Sequence, residues 1–125
     1  MVPYIIAIDF DGTLVGDKFP EIGEPNTLLI ELAQIWRHMG AKLVLWTCRH
    51  GKVLDEAVAF CKEQGLEFDS VNTNIPEVQM MYGTDTRKVY ADIYLDDKMY
   101  EFDNISLVEV VKKVATRNND NKKNT

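Results

Sequence analysis

The sequence predicts an α/β fold: one three-layer, doubly wound domain with a mostly parallel sheet. Three observations lead there. The 125 residues suit one domain, 46% of them are hydrophobic, and short apolar runs alternate with segments of helical periodicity. Strands that alternate with helices indicate βαβ units, which build a parallel sheet between helical layers. Ligands are then expected at the carboxyl ends of the strands.

The first predicted elements are a buried strand and an amphipathic helix. Residues 4–8 form an apolar run rich in β-branched side chains, which is typical of a strand buried on both faces. Residues 13–25 contain two glycines and two prolines and predict a loop or small flap. Asn26 can cap the helix that follows, and Gly40 can end it. Its apolar residues at helical spacing are Leu28, Leu29, Leu32, Ile35, Trp36 and Met39.

The same alternation continues along the middle of the chain. Residues 42–46 predict a second strand, and residues 51–64 predict a helix with apolar residues on one face. A short strand is expected at 68–71 and a longer one at 89–95, while residues 72–86 are expected to be irregular. Cys61 is predicted to be a buried core residue on this helix.

The last predicted element is a helix near the C-terminus. Ser106 and Glu109 have the spacing of a capping box, which opens a helix through about Val114. The polar residues 117–125 predict a disordered tail. The expected domain therefore spans residues 1–116.

Polar side chains follow three of the predicted strands directly. Asp9 and Asp11 follow the first strand, Thr47 follows the second, and Asp96 with Asp97 follows the last. Carboxylates crowded at one edge of a sheet require a compensating cation. Carboxylate oxygens are hard ligands and suit Mg²⁺, which is the predicted cofactor.

These side chains have the chemistry for phosphoryl transfer. Asp9 can act as a nucleophile, and Asp11 can protonate the leaving group and later activate water. Thr47, Lys88 and the backbone N–H groups after Asp9 can donate to the phosphoryl oxygens, and Gly12 would let that backbone approach closely.

Two residues after Thr47 are further candidates for contact with the phosphoryl group. Cys48 and Arg49 follow the second strand, where they would face substrate. A phosphatase with a nucleophilic cysteine is not indicated, because Leu54 stands where its phosphate-binding loop would need an arginine. Cys48 is then a small residue near the site.

The order of these motifs resembles that of the haloacid dehalogenase-like superfamily of phosphohydrolases. The segment Asp9-Phe10-Asp11-Gly12-Thr13-Leu14 resembles its first motif, Thr47 its second, Lys88 its third, and Asp96-Asp97 its fourth. The resemblance implies a phosphatase that forms an aspartyl-phosphate on Asp9, with Asp11 as general acid and base.

The same resemblance implies the metal ligands. They would be the Asp9 side chain, the Asp11 backbone carbonyl and one carboxylate of the final pair. Asp97 is favoured as the direct ligand, with Asp96 outside the direct coordination sphere of the metal. Arg87 stands beside Lys88 and could take its role.

The intervals between the motifs are too short for a large inserted cap domain, so the chain resembles a capless member. The site would be open, or covered by a flap of residues 15–25 or by another subunit, and a homo-oligomer is one option. The formal net charge of −6 argues against a nucleic-acid partner. It allows a small phosphorylated substrate such as a sugar phosphate or a nucleotide.

No secretory signal, membrane partner or disulfide framework is expected, so a cytoplasmic protein with free thiols is predicted. Two other functions stay open. A phospho-accepting regulatory domain of receiver type has a similar set of residues, but its acceptor aspartate would stand where this chain has Thr47. A catalytically inactive module that binds metal or ligand is the third.

Overall fold

The computed structural model describes residues 2–99 and 107–123. Strands and helices alternate through these residues, as the periodicity predicted. In chain order the elements are β1 (Ile5–Ile8), α1 (Thr27–His38), β2 (Lys42–Leu45), α2 (Gly51–Glu63), β3 (Ser70–Val71), α3 (Pro76–Tyr82), β4 (Ile93–Leu95) and α4 (Leu107–Lys123).

The four strands form one sheet in the order β3-β2-β1-β4, and every pairing is parallel. Ile8, the last residue of β1, pairs with Leu45 on one side and with Leu95 on the other. The chain runs outward from β1 to β3 and then returns to place β4 beside β1. The strand order therefore reverses between β1 and β4, and such a reversal is the position where parallel sheets form ligand crevices.

The two faces of the sheet are covered by different helices. Ile6 and Ile8 of β1 point into a core cluster with buried residues of α1, α2 and α4, including Trp36 and Cys61. Ile5 and Ala7 point the other way, into a smaller cluster that includes Val78 of α3. Side chains that alternate between two covered faces explain why the strands are apolar throughout. The predicted three-layer α/β fold is confirmed.

Helix α1 begins where the sequence indicated, but its buried face is rotated from the predicted one. The Asn26 side chain accepts a hydrogen bond from the Leu29 N–H, so the predicted cap is confirmed. The buried residues are Leu29, Ile30, Ala33 and Trp36. Leu28 and Ile35 are 61% and 49% exposed. They lie at the margin of the apolar stripe because successive helical residues are turned by about 100°.

The prediction that residues 72–86 are irregular is wrong for α3. This helix has Pro76 in its first turn and ends at Gly83, whose φ is 74°. Both are standard helix boundary signals, since proline needs no N–H in the first turn and glycine adopts the left-handed conformation without strain. The helix escaped notice because it is only seven residues long.

The C-terminal prediction is also wrong, because α4 continues to Lys123 and crosses the predicted boundary at residue 116. Arg117 donates to Asp92 Oδ1 at 2.8 Å and to the Pro3 carbonyl at 3.1 Å, and Asn118 donates to the Met39 carbonyl. These contacts order residues that composition alone suggested were a tail. Ser106 of the predicted capping box and residues 124–125 lie outside the described residues.

Cys48 is exposed and Cys61 is buried, and both are free thiols. Across residues 2–99 and 107–123, no helix has the length and apolar character needed to cross a membrane.

Candidate active site

Three carboxylates meet at the carboxyl ends of β1 and β4. One oxygen from each of Asp9, Asp96 and Asp97 lies within 4.8 Å of the others. The Asp9 N–H donates to the Leu95 carbonyl at 2.9 Å, which extends the β1–β4 pairing one residue beyond β1. Backbone pairing therefore fixes Asp9 directly beside the acidic pair that follows β4.

The Asp9 carboxyl is electrostatically disfavoured as an anion. Its pKa is raised to about 6: burial is the largest cause, the charges of Asp96, Asp97 and Asp11 add to it, and a hydrogen bond with the Phe10 backbone opposes the rise. A divalent cation would relieve this repulsion, and three carboxylate oxygens are the hard donors that Mg²⁺ prefers. The residues present thus fit the predicted metal.

The structure leaves the choice between Asp96 and Asp97 open, since both belong to the cluster. Asp96 Oδ1 accepts the Lys98 N–H at 2.8 Å, and Asp97 Oδ2 lies 3.6 Å from the Lys98 ammonium. The Asp11 side chain is not part of the cluster, so Asp11 could contribute to a metal site only through its backbone, as the sequence prediction had it.

Gly12 and Thr13 hold the end of β4 against the loop after β1. Gly12 has a φ of +83°, and a Cβ there would lie 2.3 Å from Asp97 Oδ2. The buried Thr13 hydroxyl oxygen accepts the Asp97 N–H at 3.0 Å. The close approach that requires glycine is thus to Asp97, whereas sequence reasoning expected an approach to the phosphoryl group and gave Thr13 no role.

The Asp11 carboxylate is paired with Arg49. Arg49 Nε and Nη2 donate to the two Asp11 oxygens, both at 2.8 Å, and the Arg49 side chain is fully buried. Arg49 lines the cavity, but its guanidinium is paired with Asp11, and phosphate binding by Arg49 stays a prediction. A charged guanidinium taken out of water has to satisfy its donors within the protein, and here they are directed to protein acceptors.

Thr47 sits in a short loop between β2 and α2 that side chains hold in place. Its N–H donates to Asn72 Oδ1 at 2.8 Å, and its hydroxyl oxygen accepts the Arg49 N–H at 3.1 Å. Asn72 adopts a φ of 56° to reach this position. Asparagine tolerates that region better than most residues, which is the one sequence signal that could have indicated its role.

A cavity of about 560 Å³ opens over these side chains. It is lined by seven predicted site residues and by four others: Asp9, Asp11, Thr47, Cys48, Arg49, Asp96 and Asp97, then Asp17, Phe19, Trp46 and Lys98. Asp17 and Phe19 belong to the predicted flap, so that segment does form a wall of the site. Trp46 and Lys98 could have been found as direct chain neighbours of Thr47 and Asp97.

Lys88 does not line this cavity. Its ammonium lies 5.5 Å from the centre of the Tyr94 ring, in a second cavity bordered by Tyr82, Thr86, Tyr90 and Ala91. The structure therefore does not bring Lys88 together with the carboxylate cluster, and its role in phosphate binding stays a prediction. Arg87 is exposed on the same loop and is likewise absent from the lining of the site.

Comparison with known proteins adds one informative likeness. No protein-family model matches the chain, and no curated protein matches it. The solved structure of a conserved protein from Bacteroides thetaiotaomicron is similar, with a TM-score of 0.70 and 37% sequence identity over 78% of each chain. Likeness at this level of sequence and structure shows common descent. The chain belongs to the same family as this conserved Bacteroides protein.

Proposed function

We propose that the protein is a magnesium-dependent phosphatase of the haloacid dehalogenase-like superfamily, which hydrolyses a small phosphate monoester through an aspartyl-phosphate on Asp9. The observation that carries the proposal is the meeting of Asp9 with Asp96 and Asp97 at a cavity that also receives Asp11 and Thr47. Free thiols suit a reducing compartment, and we place the enzyme in the cytoplasm.

In the first step, a carboxylate oxygen of Asp9 attacks the phosphorus atom. A bond between that oxygen and phosphorus forms, the ester bond to the leaving oxygen breaks, and Asp11 gives its proton to the leaving oxygen. Since the Thr47 oxygen accepts the Arg49 N–H, the Thr47 hydrogen can be donated to a phosphoryl oxygen.

In the second step, water attacks the phosphorus of the aspartyl-phosphate. Asp11 takes a proton from the water, the bond between phosphorus and the Asp9 oxygen breaks, and inorganic phosphate leaves. Asp11 is then protonated again for the next cycle. Mg²⁺, held by Asp9, by one or both of Asp96 and Asp97 and by the Asp11 backbone, would lower the repulsion between the carboxylates and the anionic phosphoryl group.

Lys98 takes over the cationic role that Lys88 was predicted to have. It lines the cavity, and its 83% exposed side chain can turn from Asp97 Oδ2, 3.6 Å away, toward a phosphoryl oxygen. We expect Lys98→Met to raise KM about threefold to fivefold, because contacts of exposed charges are weak. Lys88→Met should leave KM unchanged in the same assay. A rise of KM in the Lys88 variant alone would return the phosphate-binding role to Lys88.

The proposed function is tested with a panel of sugar phosphates, nucleoside monophosphates and aryl phosphates. We expect phosphate release with Mg²⁺ present, loss of release with a chelator, and recovery when Mg²⁺ is added back. Beryllium fluoride, which mimics a phosphoryl group on a carboxylate, should inhibit only when Mg²⁺ is present. Binding of Mg²⁺ without turnover of any ester would instead favour an inactive binding module, and stable phosphorylation without turnover would favour a receiver-type domain.

A further inference from the structure

Arg49 is one of the largest fully buried side chains of the described residues. A buried guanidinium is costly unless its donors are satisfied, and removal of one partner leaves an uncompensated charge. The acceptors that surround Arg49 therefore indicate what its burial achieves. They come from three different parts of the chain.

The guanidinium joins the loop after β1, the flap and the first turn of α2. Besides its two bonds to Asp11, Arg49 donates from Nη2 to the Glu21 carbonyl at 2.9 Å and from Nη1 to the Val53 carbonyl at 3.1 Å. Nη2 thus carries one bond to Asp11 and one bond to the flap.

Two aromatic rings cover the same group. The guanidinium carbon lies 4.9 Å from the centre of the Phe10 ring and 5.2 Å from that of the Phe19 ring. Phe10 is buried in the core, whereas Phe19 is on the flap and 57% exposed. Cation–π contact with Phe19 therefore adds a second link between Arg49 and the flap.

We propose that Arg49 is a positioning residue that couples the orientation of the Asp11 carboxylate to the position of the flap. This inference rests on the proposed function, in which Asp11 exchanges protons with the leaving group and with water. A bidentate pair fixes the plane of a carboxylate. Each Asp11 oxygen keeps a second lone pair, so Asp11 can meet a leaving oxygen without releasing Arg49.

The coupling has a kinetic signature that loss of packing alone does not have. Proton donation matters most for a basic leaving group and least for an acidic phenol, which departs as an anion unaided. Misplacement of Asp11 should therefore slow the hydrolysis of esters with basic leaving groups selectively. A variant of which merely a smaller fraction is folded would lose the same proportion of its rate on every ester.

The first experiment measures kcat/KM for a series of substituted phenyl phosphates, which share one shape and differ in the acidity of the leaving phenol. We expect Arg49→Met to lose about 100-fold on the most basic leaving group and less than about tenfold on 4-nitrophenyl phosphate. Asp11→Asn should likewise make kcat/KM fall more steeply as the leaving phenol becomes more basic. Arg49→Lys, which keeps the charge and loses the bidentate pair, should fall between wild type and Arg49→Met.

Arg37 provides the matched control. It pairs with Asp69 at 3.2 Å, its side chain is 40% exposed, and it does not line the cavity. We expect Arg37→Met to leave every rate in the series unchanged. Equal losses on all esters in both Arg49 variants, with an unchanged dependence on the leaving group, would overturn the proposal.

A second experiment needs no turnover. Lys18 lies in the flap and is exposed. Trypsin can bind its side chain but needs the flap backbone to detach locally, so the rate of cleavage after Lys18 reports how firmly the flap is held. Cleavage should be faster in Arg49→Lys and in Asp11→Asn than in wild type or Arg37→Met. Unchanged cleavage would show that Arg49 does not hold the flap. If wild type hydrolyses none of the esters, the proposed function fails, and the cleavage rates still decide whether Asp11 and the flap are linked through Arg49.

Discussion

Replacement of Asp9 by asparagine should reduce phosphomonoester turnover by about 10⁴-fold or more, since an amide cannot replace a carboxylate as nucleophile. Asparagine nearly preserves the shape of the side chain, so the backbone pairing of residue 9 with Leu95 should survive. Trapping of labelled phosphate on the acid-quenched protein provides the second measurement. Wild type should carry the label, and Asp9→Asn should not.

The same variant should be more stable than wild type at neutral pH when metal is absent. The folded pKa of Asp9 is about 6, against an ordinary value of 3.8. At pH values between these two pKa values, Asp9 is protonated in more of the folded molecules than of the unfolded ones. The contribution of Asp9 to the free energy of unfolding therefore falls as pH rises from about 4 to about 6. Asparagine does not titrate. The Tm difference between the variant and wild type should therefore grow over this range, and Mg²⁺ at pH 7 should stabilise wild type more than the variant.

Asp17→Asn is the matched control, because it removes one negative charge from the same cavity and lies outside the carboxylate cluster. Its turnover should stay within about threefold of wild type, as expected for an exposed charge. If Asp9→Asn kept more than a tenth of wild-type turnover, Asp9 would not be the nucleophile. A Tm difference that does not change with pH would contradict the electrostatic description of the site.

Gly12→Ala should weaken Mg²⁺ binding by about 10-fold to 100-fold, which is the usual cost of disturbing the immediate surroundings of a metal site. The new methyl group would lie 2.3 Å from Asp97 Oδ2 and 2.8 Å from its Cγ. A shift of the Asp97 carboxylate that relieves this clash would change its position relative to Asp9. Calorimetric titration with Mg²⁺ measures the loss, and kcat/KM should fall with it.

Gly51→Ala separates this effect from backbone strain. Gly51 also has a positive φ, +60°, but a Cβ there meets nothing within 4 Å. Both variants place alanine in the left-handed region, which costs about 1 to 2 kcal/mol. They should lose similar stability in thermal unfolding, while only Gly12→Ala loses metal. Equal loss of Mg²⁺ affinity in the two variants would mean that Asp97 is not a ligand.

The sequence was sufficient to place the acidic residues of the site because two simple rules locate them. Buried parallel strands are continuous apolar runs, and polar residues at their carboxyl ends converge at one edge of the sheet. Asp9, Thr47 and the pair Asp96-Asp97 each follow such a run. Their arrangement therefore depends on strand register, which short-range patterns determine well.

The roles of the basic residues could not be obtained in the same way. Lys88 and Arg49 have long side chains, whose direction depends on neighbours that are distant in the chain. Arg49 is directed inward by Asp11, and Lys88 is directed toward Tyr94. The predicted length of helix α4 was too short for a related reason, because Arg117 binds Asp92 and Pro3, which are far away in sequence. The polar composition of residues 117–125 indicates only that they tolerate exposure to water. It contains no information on the distant residues that they contact.

The short pairing between β1 and β4 gives a bound cation a second consequence. Three residue pairs align these strands, and Asp9 and Asp97 follow at their carboxyl ends. A cation that both carboxylates bind would act as a crosslink across this end of the sheet. Local opening of β4 would then require release of the ion, so its amides should exchange hydrogen more slowly as the cation concentration rises. The proposed metal site would therefore also stabilise the sheet against local opening.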